Sequence, residues 1–226
     1  MKKLILILFV TITNYSFAQT KSSTAPTVVF GFRGGLSSTG MRGDAVSNLS
    51  KLLDFTNGMI KTTDRAGFYG GVFANIPLDQ TLSVEPGIYY TQKGYNLTGA
   101  LNVKGLNFLG ANAKAQLQSQ YIDIPVLLKL NLGNVQVFAG PQISYLAKAD
   151  LRTTAGVLGI NLLDRKMDAT NQFNRWDAGV TGGIGFNFSK NVNVTASYDY
   201  GLQKVDANKN VNAFNRGIKV GIGVGF

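Results

Sequence analysis

Eight ionisable residues share one parity within strongly alternating segments: Arg33, Glu85, Lys93, Asp123, Lys129, Asp177, Asp199 and Lys219. Four are bases and four are acids. A carboxylate pair such as Glu85 with Asp123 has the composition of a general acid and base. The same residues, held close together, would instead neutralise one another as ion pairs. Little other chemistry is available. The 226 residues include no histidine and no cysteine. That excludes Ser-His-Asp and Cys-His catalysis, imidazole and thiolate metal sites, and disulfides. No catalytic, cofactor-binding or metal-binding residue is therefore expected. Gly182-Gly183-Ile184-Gly185 and Gly221-Ile222-Gly223-Val224-Gly225 are rich in glycine. Neither matches GxxxxGK[ST] or opens a helix, so both read as strand glycines rather than phosphate loops. Arg42-Gly43-Asp44 spells an adhesion tripeptide in the first long connection, but a three-residue match is frequent by chance.

The elements that carry the eight charges have a period of two, not 3.6. Ile218, Val220, Ile222, Val224 and Phe226 alternate with Lys219, Gly221, Gly223 and Gly225. Val192, Val194, Ala196, Tyr198 and Tyr200 alternate with Asn193, Thr195, Ser197 and Asp199 in the same way. Such runs place strands at Val28–Ser37, Ala66–Pro77, Gln80–Tyr95, Gln118–Asn131, Asn134–Ala147, Phe173–Ser189, Asn191–Leu202 and Phe214–Phe226. Each is long enough to cross a bilayer when tilted, which takes about 9–11 residues. Connections alternate between short (Leu78-Asp79, Leu132-Gly133, around Lys190) and long (38–65, 96–117, 148–172, 203–213). The fold expected is all-β: an eight-stranded antiparallel up-and-down transmembrane β-barrel with short periplasmic turns and long extracellular loops. Phe186, Phe188 and Phe226 fall at the short-turn rim, and Phe68, Tyr90, Tyr145, Trp176 and Tyr200 toward the loops, as interfacial aromatic girdles should.

The first residues point to export. Lys2 and Lys3 precede an apolar run from Leu4 to Ile12, and Ser16-Phe17-Ala18 offers small residues for cleavage. The expected organisation is a signal peptide at 1–18, cleaved near Ala18, a short segment at 19–27, and a barrel domain at 28–226. The expected location is the cell outer membrane.

At eight strands a barrel interior is just wide enough to be filled by side chains. The eight charges are expected to form a structural hydrogen-bonded network, giving a plugged polar core rather than a pore. Inward glycines, among them Gly31, Gly71, Gly183 and Gly221, are expected to make room for the long charged side chains. In the first long loop Asp44–Phe55 has a capping residue and apolar spacing suited to a short helix. The formal net charge is +10, and the four long loops hold twelve Lys/Arg against seven Asp/Glu. The partners expected are outer-membrane lipid and lipopolysaccharide, with a protein partner at the loops and no nucleic acid.

Two stretches carry a family resemblance. Ser83-Val84-Glu85-Pro86-Gly87-Ile88-Tyr89-Tyr90-Thr91-Gln92-Lys93-Gly94 and Tyr121-Ile122-Asp123-Ile124-Pro125-Val126-Leu127-Leu128-Lys129, followed by Gly140-Pro141, resemble the signatures of the PorT-like outer-membrane β-barrel family of Bacteroidota. The resemblance spans nearly the whole chain after residue 18. It implies an outer-membrane barrel and, through the family's namesake, support of a protein-secretion apparatus. It carries no catalytic residues across. Phe226, with the alternation before it, looks like the signal read by the barrel-assembly machinery. The function expected is that of a non-enzymatic structural or interaction component of the outer membrane. A narrow porin-like channel for small solutes is the alternative.

Overall fold

Alternation in the sequence becomes antiparallel pairing in space. The computed structural model describes residues 27–43, 60–101, 111–157, 160–206 and 212–226. Its strands are β1 (Val29–Arg42), β2 (Ile60–Pro77), β3 (Leu82–Leu101), β4 (Ala111–Leu132), β5 (Val135–Val157), β6 (Ile160–Asp168), β7 (Trp176–Asn187), β8 (Val192–Gly201) and β9 (Phe214–Gly225). Eight of these form a ring in the order β1-β2-β3-β4-β5-β7-β8-β9. The ring closes where β1 meets β9, in register from Gly31 opposite Gly225 to Arg42 opposite Phe214. This is the all-β up-and-down barrel that the alternation predicts. Closure leaves the ring itself without an unpaired edge, the condition for a sheet to sit in hydrocarbon.

Burial is inverted relative to a water-soluble protein. On β9 the ammonium-bearing Lys219 is 6% exposed, whereas Ile222 on the opposite face is 56% exposed. Phe32, Leu36, Ile88, Leu128, Ile143 and Ile184 are likewise exposed around the ring. Aromatic rings pair at both ends of this apolar wall. Phe186–Phe188 and Phe32–Phe226 lie 5.1 and 5.6 Å apart at the short-turn end. Phe68–Tyr90 and Tyr145–Trp176 lie 5.8 and 5.0 Å apart toward the other.

Short turns are set by local chemistry. In the turn between β2 and β3, Asp79 Oδ1 accepts the backbone N–H groups of Thr81 and Leu82, both at 2.7 Å. Those two donors, that of Thr81 first, together with the Thr81 hydroxyl, hold the Asp79 carboxyl below the usual carboxylate range. Ser189 Oγ accepts from the N–H groups of Asn191 and Val192 in the same manner between β7 and β8. Between β4 and β5 the chain reverses through Gly133 at φ +65°, a left-handed conformation that glycine adopts at little cost.

On the long-loop side the strands run further than alternation places them. Residues 38–42, 60–65, 96–101, 111–117, 148–157 and 160–168 are strand, not loop. Beyond the bilayer no lipid demands an apolar face, so the period-two signal fades while backbone pairing continues, as in Thr98 opposite Lys114. The stretch at 148–172 holds an extra hairpin. β6 pairs with the upper half of β5, from Asp150 opposite Asp168 to Val157 opposite Ile160, and stands outside the ring. One turn of 3-10 helix at Thr170–Gln172 follows, so β7 starts at Trp176 rather than at Phe173. Phe173 instead makes an isolated bridge to Asp206. Arg42 is the last residue of β1 rather than part of a loop. Its guanidinium lies over Tyr200 at 3.8 Å and Phe214 at 4.7 Å and donates to the Gly201 carbonyl at 2.6 Å. The helix expected at 44–55 and the signal peptide expected at 1–18 lie outside the described residues.

Candidate functional site

All eight charged residues singled out from the sequence lie inside the ring and are buried. Strand pleating puts them there, because each shares its parity with the small or polar residues that face the lumen. They fall into two clusters, with one residue apart. Nearest the short turns, Arg33 on β1 grips Glu85 on β3 with both terminal guanidinium nitrogens, at 2.6 and 3.2 Å. Lys129 on β4 donates to the same carboxylate at 2.7 Å. Arg33 also donates to the Tyr89 hydroxyl at 3.2 Å and stacks over Phe73 at 4.5 Å.

A second cluster crosses the barrel. Lys219 on β9 contacts Asp199 on neighbouring β8 at 2.7 Å. It also reaches Asp123 at 2.9 Å on β4, the strand diametrically opposite in the ring. Asp123 further accepts from Lys93 at 2.8 Å and from the Ser144 hydroxyl at 2.6 Å. Thr181 donates to Asp199. The eighth charge, Asp177, joins neither cluster; it accepts from Asn215 Nδ2 at 2.7 Å. Glu85 and Asp123 thus do not form an acid–base pair, because each carboxylate is bound to cations of a different cluster. Among the described residues no group of three potential ligands gathers into a metal site.

Above the charges, toward the long loops, the lumen turns apolar. Leu117, Tyr121, Leu146 and Ala149 form a buried cluster, against which Met41, Tyr95 and Phe173 pack. Two cavities at the level of the charges measure about 10 and 30 Å³, room for little more than a water molecule. A larger space, about 380 Å³, is a cup that opens at the short-turn end and ends on Glu85 and Lys129. Among the described residues the lumen is therefore a blind cup below, a charged belt in the middle and an apolar stopper above.

The inward aromatics are what charge-based reasoning passes over. A Cβ on Gly31 would lie 2.5 Å from Phe73, one on Gly87 2.5 Å from Tyr89, and one on Gly221 2.3 Å from Tyr69. The lumenal glycines thus make room chiefly for rings, not for the charged side chains as expected. The exception is Gly223, where Arg33 Nε would come to 3.2 Å from a Cβ. Tyr89 and Tyr121 share the parity of Glu85 and Asp123, so the signal that finds the charges finds these rings too.

A closed antiparallel ring with an apolar outer wall, interfacial aromatics and a polar interior defines a transmembrane β-barrel of the outer-membrane type. The chain belongs to the outer membrane protein beta-barrel domain family, whose model matches residues 17–207. That membership assigns it to the outer membrane. Comparison with curated proteins finds no match. Among solved structures the chain is similar to the attachment invasion locus protein Ail of Yersinia pestis, at 13% identity over 88% of this chain and 98% of that one, with TM-score 0.45. It is similar to Neisserial surface protein A, at 13% identity over 87% and 97%, with TM-score 0.47. It is also similar to OprG of Pseudomonas aeruginosa, at 14% identity over 88% and 95%, with TM-score 0.43.

Proposed function

We propose that this protein is a non-enzymatic, non-conducting barrel that serves the outer membrane as a structural or interaction component, through its outer wall and its long-loop side. The observation that carries this reading is the lumen. Lys219 and Asp123 join opposite walls, and the Leu117–Leu146 cluster seals the space above them. A lumen blocked in this way leaves the outer surface as the part open to macromolecular partners. On that surface β5 and β6 rise beyond the ring as a hairpin whose described side chains at 163–168 are all exposed. Arg152–Asp164 and the two lysines 148 and 166 that flank Asp150 give it a charged face suited to a protein partner or to phosphate-bearing lipopolysaccharide.

The motifs at 83–94 and 121–129 support placing the chain in the PorT-like group and, by analogy with that group, an accessory role in secretion. In this reading residues 1–18 direct export, and Phe226 is read by the assembly machinery. The deciding experiment is single-channel recording of the refolded barrel in a planar bilayer. The proposal expects no steady conductance from protein that is folded by heat-modifiable gel mobility. Stable openings whose selectivity shifts in Lys129→Met would overturn it in favour of a narrow porin.

A further inference from the structure

We infer that the cup at the short-turn end is a binding site for a small carboxylate that also carries N–H donors, and that a short peptide with a free C-terminal carboxylate is the ligand class it fits. At about 380 Å³ it falls within the size range of small-ligand pockets. Its lining is unusual in composition. Six asparagines and one glutamine surround it, together with Glu85, Lys129 and Lys190. An amide lining of this kind offers matched donors and acceptors to a ligand made of peptide units.

Two independent observations fix the ligand chemistry. The first is charge. The cluster beneath the cup holds two cations, Arg33 and Lys129, for one carboxylate, Glu85. The excess is one positive charge; Arg33 pairs with Glu85 from behind, and Lys129 lines the cup floor beside that carboxylate. Lys129 Nζ donates to Glu85 at 2.7 Å, and an ammonium has three donors, so the floor can hold a second carboxylate. The second is a set of acceptors. Asn75 Oδ1, Gln136 Oε1 and Asn193 Oδ1 are buried and have no hydrogen-bond partner within the protein. Gln136 as a whole is only 4% exposed. A buried acceptor without a donor is costly, and a ligand N–H that reaches one of these cup-lining amides removes that cost. A cationic floor below unpaired acceptors is the polarity that a terminal carboxylate followed by backbone N–H groups would meet. In an outer-membrane barrel the short-turn end faces the periplasm, so the ligand would come from that compartment.

The test is isothermal titration of the refolded barrel in micelles with tri-alanine, its C-terminal carboxamide and N-acetylglucosamine as three separate probes. Saturable binding of tri-alanine is expected. It should weaken about tenfold or more in the carboxamide, which loses the charge-assisted bond to Lys129. Lys129→Met should reproduce that loss. Because the lumenal change also removes a buried ion-pair partner of Glu85, the rim double variant Asn134→Ala/Asn191→Ala, at two exposed positions, serves as the second probe of place and should weaken tri-alanine several-fold. Absence of saturable tri-alanine binding overturns the inference. So does equal binding of the carboxamide or the neutral sugar, or binding that the rim variant leaves unchanged. A closed barrel that binds none of the probes removes the cup site alone, whereas a conducting barrel removes the non-conducting reading.

Discussion

Replacing Glu85 with glutamine should be among the most damaging isosteric changes in the barrel. Glu85 is 1% exposed and accepts three charge-assisted hydrogen bonds, two from Arg33 and one from Lys129. Neither cation has another carboxylate within ion-pair reach among the described residues. Glutamine preserves the volume but removes the charge and turns an N–H toward one of the cations. Removing one partner of a buried ion pair typically costs about 3–5 kcal/mol, because the other charge stays buried. With a urea slope near 2 kcal/mol per M, the unfolding midpoint should fall by roughly 2 M. The assay is urea titration in lipid vesicles, following the fluorescence of Trp176, the single tryptophan of the chain. Lys129→Met should cost less, since Glu85 keeps Arg33. The double variant should cost less than the two single variants together, with a coupling of about 0.5–3 kcal/mol. A loss below about 1 kcal/mol for Glu85→Gln, or strict additivity in the cycle, would refute the view that this triad is a bound unit.

Three further outcomes follow from the same geometry. Val220→Lys, on the lipid-facing side of β9, should destabilise by about 2–4 kcal/mol, whereas Phe188→Lys at the rim should cost about 0–1 kcal/mol, measured in the same vesicles; equal costs would contradict the bilayer placement. Gly87→Ala drives a Cβ into the Tyr89 ring and should cost about 1–3 kcal/mol, and a double-mutant cycle with Tyr89→Leu should recover part of it. Asp79 should titrate below the ordinary aspartate value of 3.8. Because its folded pKa is depressed, its contribution is present above that unfolded value and lost as pH falls through the folded one. NMR titration of the Asp79 carboxyl checks the direction, and a midpoint at or above the ordinary aspartate value would contradict the turn geometry.

The barrel was legible in the sequence because lipid and lumen impose opposite demands on alternate residues. That constraint acts only within the bilayer. It marks Ile218 to Phe226 plainly, and it is silent over the β5–β6 hairpin, where no lipid demands an apolar face. The parity of the eight charges was legible for the same reason; their partners were not. Arg33 reaches Glu85 past β2, over Gly71, which pairs with Arg33 on one side and Tyr89 on the other. Lys219 reaches Asp123 across the full width of the ring. Such contacts depend on stagger between strands that are distant in sequence. The cup was hidden for another reason. Its amides, among them Asn131, Asn134, Asn187 and Asn191, lie beside tight turns, where asparagine is common for local reasons and carries no sign of a shared cavity.

The absence of native cysteine permits a direct test of the filled lumen, on which the whole account turns. Ser83, Ser119 and Ser144 are small, lumenal and at most 4% exposed, so each can be changed to cysteine with little change of volume. The measurement is the rate at which a charged, water-soluble thiol reagent modifies each single-cysteine barrel in lipid vesicles, relative to the same chain in urea. The account predicts that all three sites react orders of magnitude more slowly in the folded barrel. Modification at unfolded-like rates would mean a water-filled lumen with mobile side chains, and would contradict it.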